Sequence, residues 1–271
     1  MTRQRFPEII LTREAFLDRR KELQAQGYCV ADMHVHSSQS DGIHSLKRIA
    51  AECYRTGMYV AVTDHNRLPD LRGLSPEEIS CILPAIEVTS REFVDILCYF
   101  YDFQSLTEFY RTEVEPYRIR PYMISRSCNE ILSALRARKC VVTIPHPDYP
   151  TDSLRTNFIR LAAEGHVSAE ALAAIHCIEV FNASRDREIT EEKKQLAARL
   201  DKYPIVGSDA HTLAAVGNSL VYCRAGNRVE FLDRIASGQV EGIAVSSKMS
   251  DRFLPMLKMA WLHIKGLLAM Q

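Results

Sequence analysis

The chain has no excess of either charge: 34 Lys+Arg balance 34 Asp+Glu over 271 residues, giving a formal net charge of zero with histidine counted as neutral. A sequence-independent grip on nucleic acid needs a basic face, so broad nucleic-acid binding is not expected. Long apolar runs are also missing. None reaches the ~18 residues that a spanning helix requires. Met1 to Ile10 carries Arg3, Arg5 and Glu8 without an apolar centre, so no secretory signal is expected. Gly and Pro number 11 each, and neither repeats nor low-complexity tracts occur, which excludes collagen-like and disordered chains. Among eight cysteines no CxxC pair is found. Several sit in apolar runs, such as Lys139-Cys140-Val141-Val142 and His176-Cys177-Ile178, so they read as buried, reduced thiols and the address as cytoplasmic. A GxSxG elbow, a P-loop and a GxGxxG turn are missing as well, which removes the usual signatures of a serine nucleophile and of nucleotide cradles.

What remains is ordinary globular material, 46% apolar and 25% charged, long enough for one large α/β domain or two small ones. Thr12–Gln26 reads as a polar helix in a lead-in over 1–27. Residues 28–250 read as the main domain. There, strands over Tyr28–His36, Tyr59–Thr63, Ile82–Glu87, Phe93–Phe100, Cys140–Ile144, Cys177–Phe181, Pro204–Ser208 and Gly242–Val245 alternate with helical stretches. These stretches are Ser45–Arg55, Thr112–Lys139 (broken near Pro116 and Pro121), Thr151–Glu164, Thr190–Leu200 and Arg228–Ser237. Such alternation predicts a parallel sheet with helical crossovers, and more than six units favour a barrel. Over 251–271 an amphipathic helix is expected, with Leu254, Leu257, Trp261, Ile264 and Leu268 on one stripe and Lys258 and Lys265 at its edge. Docking on the barrel is the first reading, and a membrane surface or partner the second.

Chemistry concentrates where the strands end. In Asp32-Met33-His34-Val35-His36 the period of two puts Asp32, His34 and His36 on one face, and two imidazoles at i and i+2 can grip one metal ion. The following turn, Ser40-Asp41-Gly42, adds a carboxylate. Later strands end in Thr63-Asp64-His65, Ile86-Glu87, Ile144-Pro145-His146-Pro147 and Ser208-Asp209-Ala210-His211. Five of the nine histidines therefore fall at strand ends beside acids. One such histidine would read as a hydrogen-bonded core residue. Five together read as a metal centre for Zn, Mn or Fe.

These motifs resemble the PHP (polymerase and histidinol phosphatase) family over about Tyr28 to Val245. The resemblance implies a distorted seven-stranded (β/α) TIM-like barrel holding two or three divalent metal ions at the strand ends. By that resemblance His34, His36, Glu87 and Asp209 hold the first ion. Glu87 bridges to a second, shared with His146, while Asp41, His65 and His211 hold a third. Asp32 and Asp64 stand behind the ligands and orient imidazoles. The family pattern has a histidine where this chain has Asp95. Asp95 as an oxygen ligand would favour Mn or Mg, and the other reading is a weak second site. Catalytic roles fall on Glu87, Asp209 and His211.

The implied reaction is hydrolysis of a small phosphomonoester or nucleotide phosphoester through a metal-bridging hydroxide. Asn182, at the end of another strand, is a candidate to orient ligand or substrate. Arg120 and Arg126 are weaker substrate candidates, since an arginine in such a segment is more often a solvated surface residue. Two other readings stay open. One is an amidohydrolase-type hydrolase, which also uses an HxH strand. The other is a non-catalytic barrel keeping metal for structure or partner docking.

Overall fold

Strand formation starts from the alternation just described. The computed structural model describes residues 6–120, 122–150 and 156–247. Strand β1 (Glu8–Ile9) precedes helix α1 (Arg13–Ala25), which Thr12 caps by accepting the Ala15 N–H. Strand β2 (Cys29–Val35), helix α2 (Leu46–Arg55) and strand β3 (Tyr59–Val62) follow. Short α3 (Pro76–Ser80) leads to β4 (Ile82–Leu83), and beyond Pro84 to β5 (Ala85–Thr89) and β6 (Asp95–Phe100). The single strand expected over Ile82–Glu87 is therefore two, because proline supplies no N–H to continue the pairing.

The segment Thr112–Lys139, expected to be largely helical with breaks near Pro116 and Pro121, is interrupted there by extended chain. After α4 (Phe103–Phe109) come one π-helical turn over Tyr110–Val114 and a 3-10 turn over Glu115–Tyr117. A small hairpin of β7 (Arg118–Arg120) and β8 (Met123–Ile124) follows. Pro116 ends the helical run, and α5 (Cys128–Arg136) restarts from a capping box between Ser127 and Glu130. Strand β9 (Cys140–Ile144) matches its expectation, and α6 (Phe158–Ala163), capped by Asn157, falls within the helix expected over Thr151–Glu164, of which 151–155 lie outside the described residues. Next come α7 (Ala169–Ala174), β10 (Cys177–Asn182), α8 (Glu191–Arg199), β11 (Tyr203–Gly207), β12 (Ser219–Cys223), α9 (Arg228–Ala236) and β13 (Glu241–Ala244). The helix expected over 251–271 lies outside the described residues.

The strands form two mixed sheets, ordered β1-β13-β12-β2-β3-β4 and β11-β10-β9-β6-β5, plus the β7-β8 hairpin. Of the expected distorted seven-stranded (β/α) TIM-like barrel, the structure has a mixed α/β fold whose sheets are not all parallel. Strand β6 runs antiparallel to both β5 and β9, and β12 antiparallel to both β2 and β13. The link from β5 to β6 is too short for a helical crossover, so it closes as a hairpin. The lead-in is not purely helical either, since β1 pairs with β13. Its Phe16 and Leu23 are buried in the cluster beneath α2.

Two isolated parallel bridges, Val35 with Ala210 and His65 with Glu87, join the sheets. Both lie at the ends where the candidate ligands sit. Below them the space between the sheets is packed by Ala31, Met33, Leu97, Tyr99, Val141, Phe181 and Val206. The Tyr99 hydroxyl donates to the Met33 carbonyl at 2.9 Å. This floor is apolar, and the candidate ligands lie above it at the strand ends. All eight cysteines are free thiols and seven are buried, which agrees with the reduced-thiol reading. Among the described residues no helix is long and apolar enough to cross a membrane.

Candidate metal centre

Strand β2 delivers His34 and His36 inward, where they are 0% and 2% exposed. Their Nε2 atoms stand 3.2 Å apart. Glu87, from the middle of β5, brings Oε2 to 3.4 Å from His34 Nε2 and 3.3 Å from His36 Nε2. Asp209 brings Oδ1 to 3.6 Å and 3.2 Å from the same two nitrogens. Donors at about 2.1 Å around a common ion in tetrahedral array stand ~3.4 Å from one another. These separations fit that array, and those of 3.3–3.6 Å are long for hydrogen bonds.

Glu87 supplies a second test of fit. Both of its carboxylate oxygens are buried, and neither has a hydrogen-bond partner. Oε2 also lies 3.4 Å from His65 Nδ1, and Oε1 lies 3.5 Å from His146 Nε2. A buried carboxylate ringed by four imidazoles without a hydrogen bond is a group arranged around cations. Burial alone would raise its pKa, but the neighbouring His65 and His34 outweigh burial and hold it well below the usual range.

A neighbouring group forms around Asp41. Its Oδ2 lies 3.1 Å from His211 Nε2 and 3.6 Å from His65 Nε2, and its Oδ1 lies 3.3 Å from His36 Nδ1. Gly42 lets this turn fold onto β2, because a Cβ there would collide with the His36 carbonyl. Burial would raise Asp41, yet His211, His36 and His65 pull it well below the ordinary carboxylate range. In return, Asp41 and Asp209 overcome burial and push His211 up to about 9 in the metal-free protein.

The nine expected ligands thus converge, in overlapping groups with metal-ligand spacing. His34, His36 and Glu87 form one, His34, His146 and Asp209 another, His36, Asp41 and His211 a third, and His65, Glu87 and Asp95 a fourth. Asp95 accordingly groups with His65 and Glu87, while His146 groups with His34 and Asp209. Asp95 Oδ1 accepts the Thr89 hydroxyl at 2.5 Å, and Thr89 Oγ1 lies 3.2 Å from His65 Nδ1. His146 and Asp209 hold left-handed backbone, at φ 27° and 51°. For residues that are not glycine this costs energy, and it aims both side chains back over the strand ends.

Asp32 and Asp64 differ from expectation, since neither reaches an imidazole nitrogen. Asp32 accepts from the Ser208 hydroxyl (2.6 Å) and the Gly217 N–H (2.7 Å), and burial lifts it to about 6. Asp64 accepts from the Ser37 N–H (2.8 Å) and from the Ser37 and Ser40 hydroxyls (both 2.5 Å). Both brace the loops that follow the strands. The residue that orients His34 is instead Glu179, 1% exposed in β10, with Oε1 3.0 Å from His34 Nδ1. Its Oε2 accepts the His146 N–H at 2.9 Å and the Asn182 amide at 3.0 Å. Sequence reasoning passed over Glu179, although a lone acid inside Cys177-Ile178-Glu179-Val180-Phe181 is itself a signal, because a charge on a buried strand needs a partner.

Asn182 touches the site, donating through Nδ2 to Asp209 Oδ2 at 3.2 Å. Arg126 is engaged elsewhere, paired with Glu113 and set 5.0 Å over the Tyr117 ring. The Arg120 side chain lies outside the described residues. Two aromatic rings line the group, Tyr122 edge-on to His65 (5.4 Å) and Tyr149 edge-on to His146 (4.8 Å). Arg185 stacks on Tyr149 at 3.7 Å, and its Nη1 is buried without a hydrogen-bond partner.

Comparison with known proteins gives three kinds of likeness. Residues 191–240, which include Asp209 and His211, match the family model described as PHP-associated. A stretch of 74 residues is 35% identical to the DNA polymerase/3'-5' exonuclease PolX of Bacillus subtilis. That stretch is 27% of this chain and 13% of the relative, so the chain spans only a small part of it. In fold, the chain resembles an endonuclease Q solved with a 27-mer duplex bearing an abasic lesion, with a TM-score of 0.57 and 14% identity over 81% of this chain and 60% of the other. It also resembles a two-domain protein of Bacteroides vulgatus that contains a predicted PHP-like metal-dependent phosphoesterase. There the TM-score is 0.53 and the identity 14%, over 90% of this chain and 69% of the other.

Proposed function

We propose that the chain is a member of the PHP family, on the match of residues 191–240 to the PHP-associated model, and that it is a divalent-metal-dependent phosphoesterase acting on a small phosphomonoester or nucleotide phosphoester. Glu87 is the observation that carries this reading: a buried carboxylate with both oxygens unbonded, facing four imidazole nitrogens. His34, His36, Glu87 and Asp209 would hold one ion, and Asp41, His65 and His211 another. Glu87 with His146 would hold a further one, and Asp95, grouped with His65 and Glu87, would add an oxygen donor on the His65 side. Mixed imidazole and carboxylate donors suit Mn, Zn or Fe. When bound, such ions lower the pKa of water toward neutrality and offset charge on phosphate oxygens.

The protein's own part is positioning. Glu179 fixes the His34 ring so that Nε2 faces the centre. Asn182 holds Asp209 from behind. The His211 side chain, 19% exposed, is more open than those of His34, His36, His65 and His146, and its Nδ1 is held by the Asp209 carbonyl at 2.9 Å. With Nδ1 so engaged, Nε2 is the nitrogen left to face Asp41 and would serve as the ligand there. The unpaired Nη1 of Arg185, beside Tyr149 and so one ring away from His146, offers a cation for an anionic substrate.

The test is an assay of the purified protein with added Mn against phosphomonoesters, nucleotides and DNA ends. The last class is included because the similar endonuclease Q was solved with a DNA duplex. Metal content is measured in parallel. Phosphate release that persists unchanged in the His34→Ala, His36→Ala double variant would overturn the assignment.

A further inference from the structure

Lys193 lies on α8 in the stripe that faces the core, with Leu196 and Ala197, and is itself 0% exposed. A leucine or methionine would pack there without the cost of stripping water from an ammonium group. The Lys193 Nζ instead sits 2.5 Å from Asp186 Oδ2 and 3.2 Å from Asp148 Oδ2. These two carboxylates belong to different loops. Asp148 stands two residues after His146. Asp186 Oδ2 also accepts the Asn182 N–H at 2.7 Å, and Asn182 in turn holds Asp209. A second contact spans the same two loops, the stack of Arg185 on Tyr149.

The geometry points to Lys193 as a positioning residue: its buried ammonium ties the loop after β9 to the loop after β10, and so sets His146 and Asp209 for metal binding. Without it, two carboxylates at the loop bases would face each other with no cation between them and would push the loops apart. His146 has most need of such restraint. Its φ of 27° is costly, and the surrounding structure must hold it there. The consequence for metal binding rests on the hydrolase reading above, whereas the tie between the loops does not.

The experiment compares wild type with Lys193→Met and Asp186→Asn. The first removes the cation. The second keeps the Lys193–Asp148 pair and removes the charge by which Lys193 holds Asp186. Amide hydrogen exchange is measured on the metal-free proteins, and Mn titration and Co(II) ligand-field absorption follow metal binding. In both variants, faster exchange over 146–150 and 183–188 is expected. So are about tenfold or greater loss of affinity for the ion held with His146, a shifted Co(II) spectrum, and unchanged binding at Asp41, His65 and His211. Unaltered exchange together with unaltered affinity overturns the inference. Should Lys193→Met fail to fold, Asp186→Asn decides it by the same two readouts. If wild type takes up no divalent ion, the hydrolase reading fails, and the exchange comparison still decides whether Lys193 ties the loops.

Discussion

His34 Nδ1 stands 3.0 Å from Glu179 Oε1, with both side chains buried. The carboxylate fixes the proton on Nδ1 and leaves the Nε2 lone pair toward Glu87 and Asp209. Glu179→Gln preserves size but replaces one acceptor oxygen by an NH2 group. Whichever way the amide turns, a donor then meets a donor, either His34 Nδ1–H or the pair formed by His146 N–H and the Asn182 amide. Metal affinity is expected to fall about 10–100-fold, with the fold retained. Titration of the metal-free variant with Mn checks this, and affinity within threefold of wild type would contradict it.

Gly207, the last residue of β11, makes the same pair possible from the other side. A Cβ there would collide with Glu179 Oε1 and come within 2.8 Å of the His34 Cβ. Gly207→Ala therefore overpacks the pair, at a cost of about 1–3 kcal/mol. For a chain of this size Tm drops roughly 2–4 °C per kcal/mol. Thermal melts of metal-free wild type and variant measure the cost, and the His34 ring should also turn from its metal-binding pose. An unchanged Tm with unchanged Mn affinity would show that the strands yield without moving either side chain.

The clustering around His34 was legible in the sequence, and the reason is simple. A strand's period of two is enough to place Asp32, His34 and His36 on one face, and the remaining ligands lie where apolar runs stop. Strand direction was not legible. Phe93–Phe100 has the same apolar pattern whether it runs parallel or antiparallel, and only the short turn after Thr89 distinguishes them. Ser219–Cys223 is a strand that the expected set lacks, although it is buried throughout. Lys193 was invisible for a different reason: a lysine in Glu191-Glu192-Lys193-Lys194 looks like a solvated face, and only packing shows that it points inward. The role of Asp32 and Asp64 in orienting imidazoles is implied by the family resemblance alone, whereas alternation and the following turns aim them at Ser208 and Ser37.

Removing metal should make stability depend on pH in a definite direction. In the metal-free protein His211 is held at about 9 and His34 well above its ordinary value, because Asp41, Asp209, Glu179 and Glu87 outweigh burial. An imidazole whose folded pKa is raised stabilises fully below its unfolded pKa of ~6.5. That contribution is lost as pH climbs through about 9. Bound metal, by contrast, needs neutral imidazoles and binds more tightly as pH rises. Chelator-treated protein should therefore lose Tm between roughly pH 6.5 and 9, while protein in excess Mn should not. At 100 times Kd the ion adds about 2.7 kcal/mol, so the gap in Tm widens with pH. Parallel melting curves that keep a constant gap would rule this out.

Asp95 offers the sharpest test of the metal count. Its Oδ1 accepts the Thr89 hydroxyl, which stands against His65 Nδ1, and it shares a ligand group with His65 and Glu87. One carboxylate oxygen is thus engaged by Thr89. As a metal donor, Asp95 would bind through oxygen at a position where the family pattern supplies imidazole nitrogen, biasing that ion toward Mn over Zn. Asp95→Ala is expected to lower metal stoichiometry by one, with ions at His34/His36 and at Asp41/His211 retained. Asp95→His should restore the stoichiometry and shift preference toward Zn. Metal analysis after dialysis against Mn and Zn mixtures reads both effects. Full stoichiometry in Asp95→Ala would remove Asp95 from the ligands and leave it as the partner that holds Thr89 against His65.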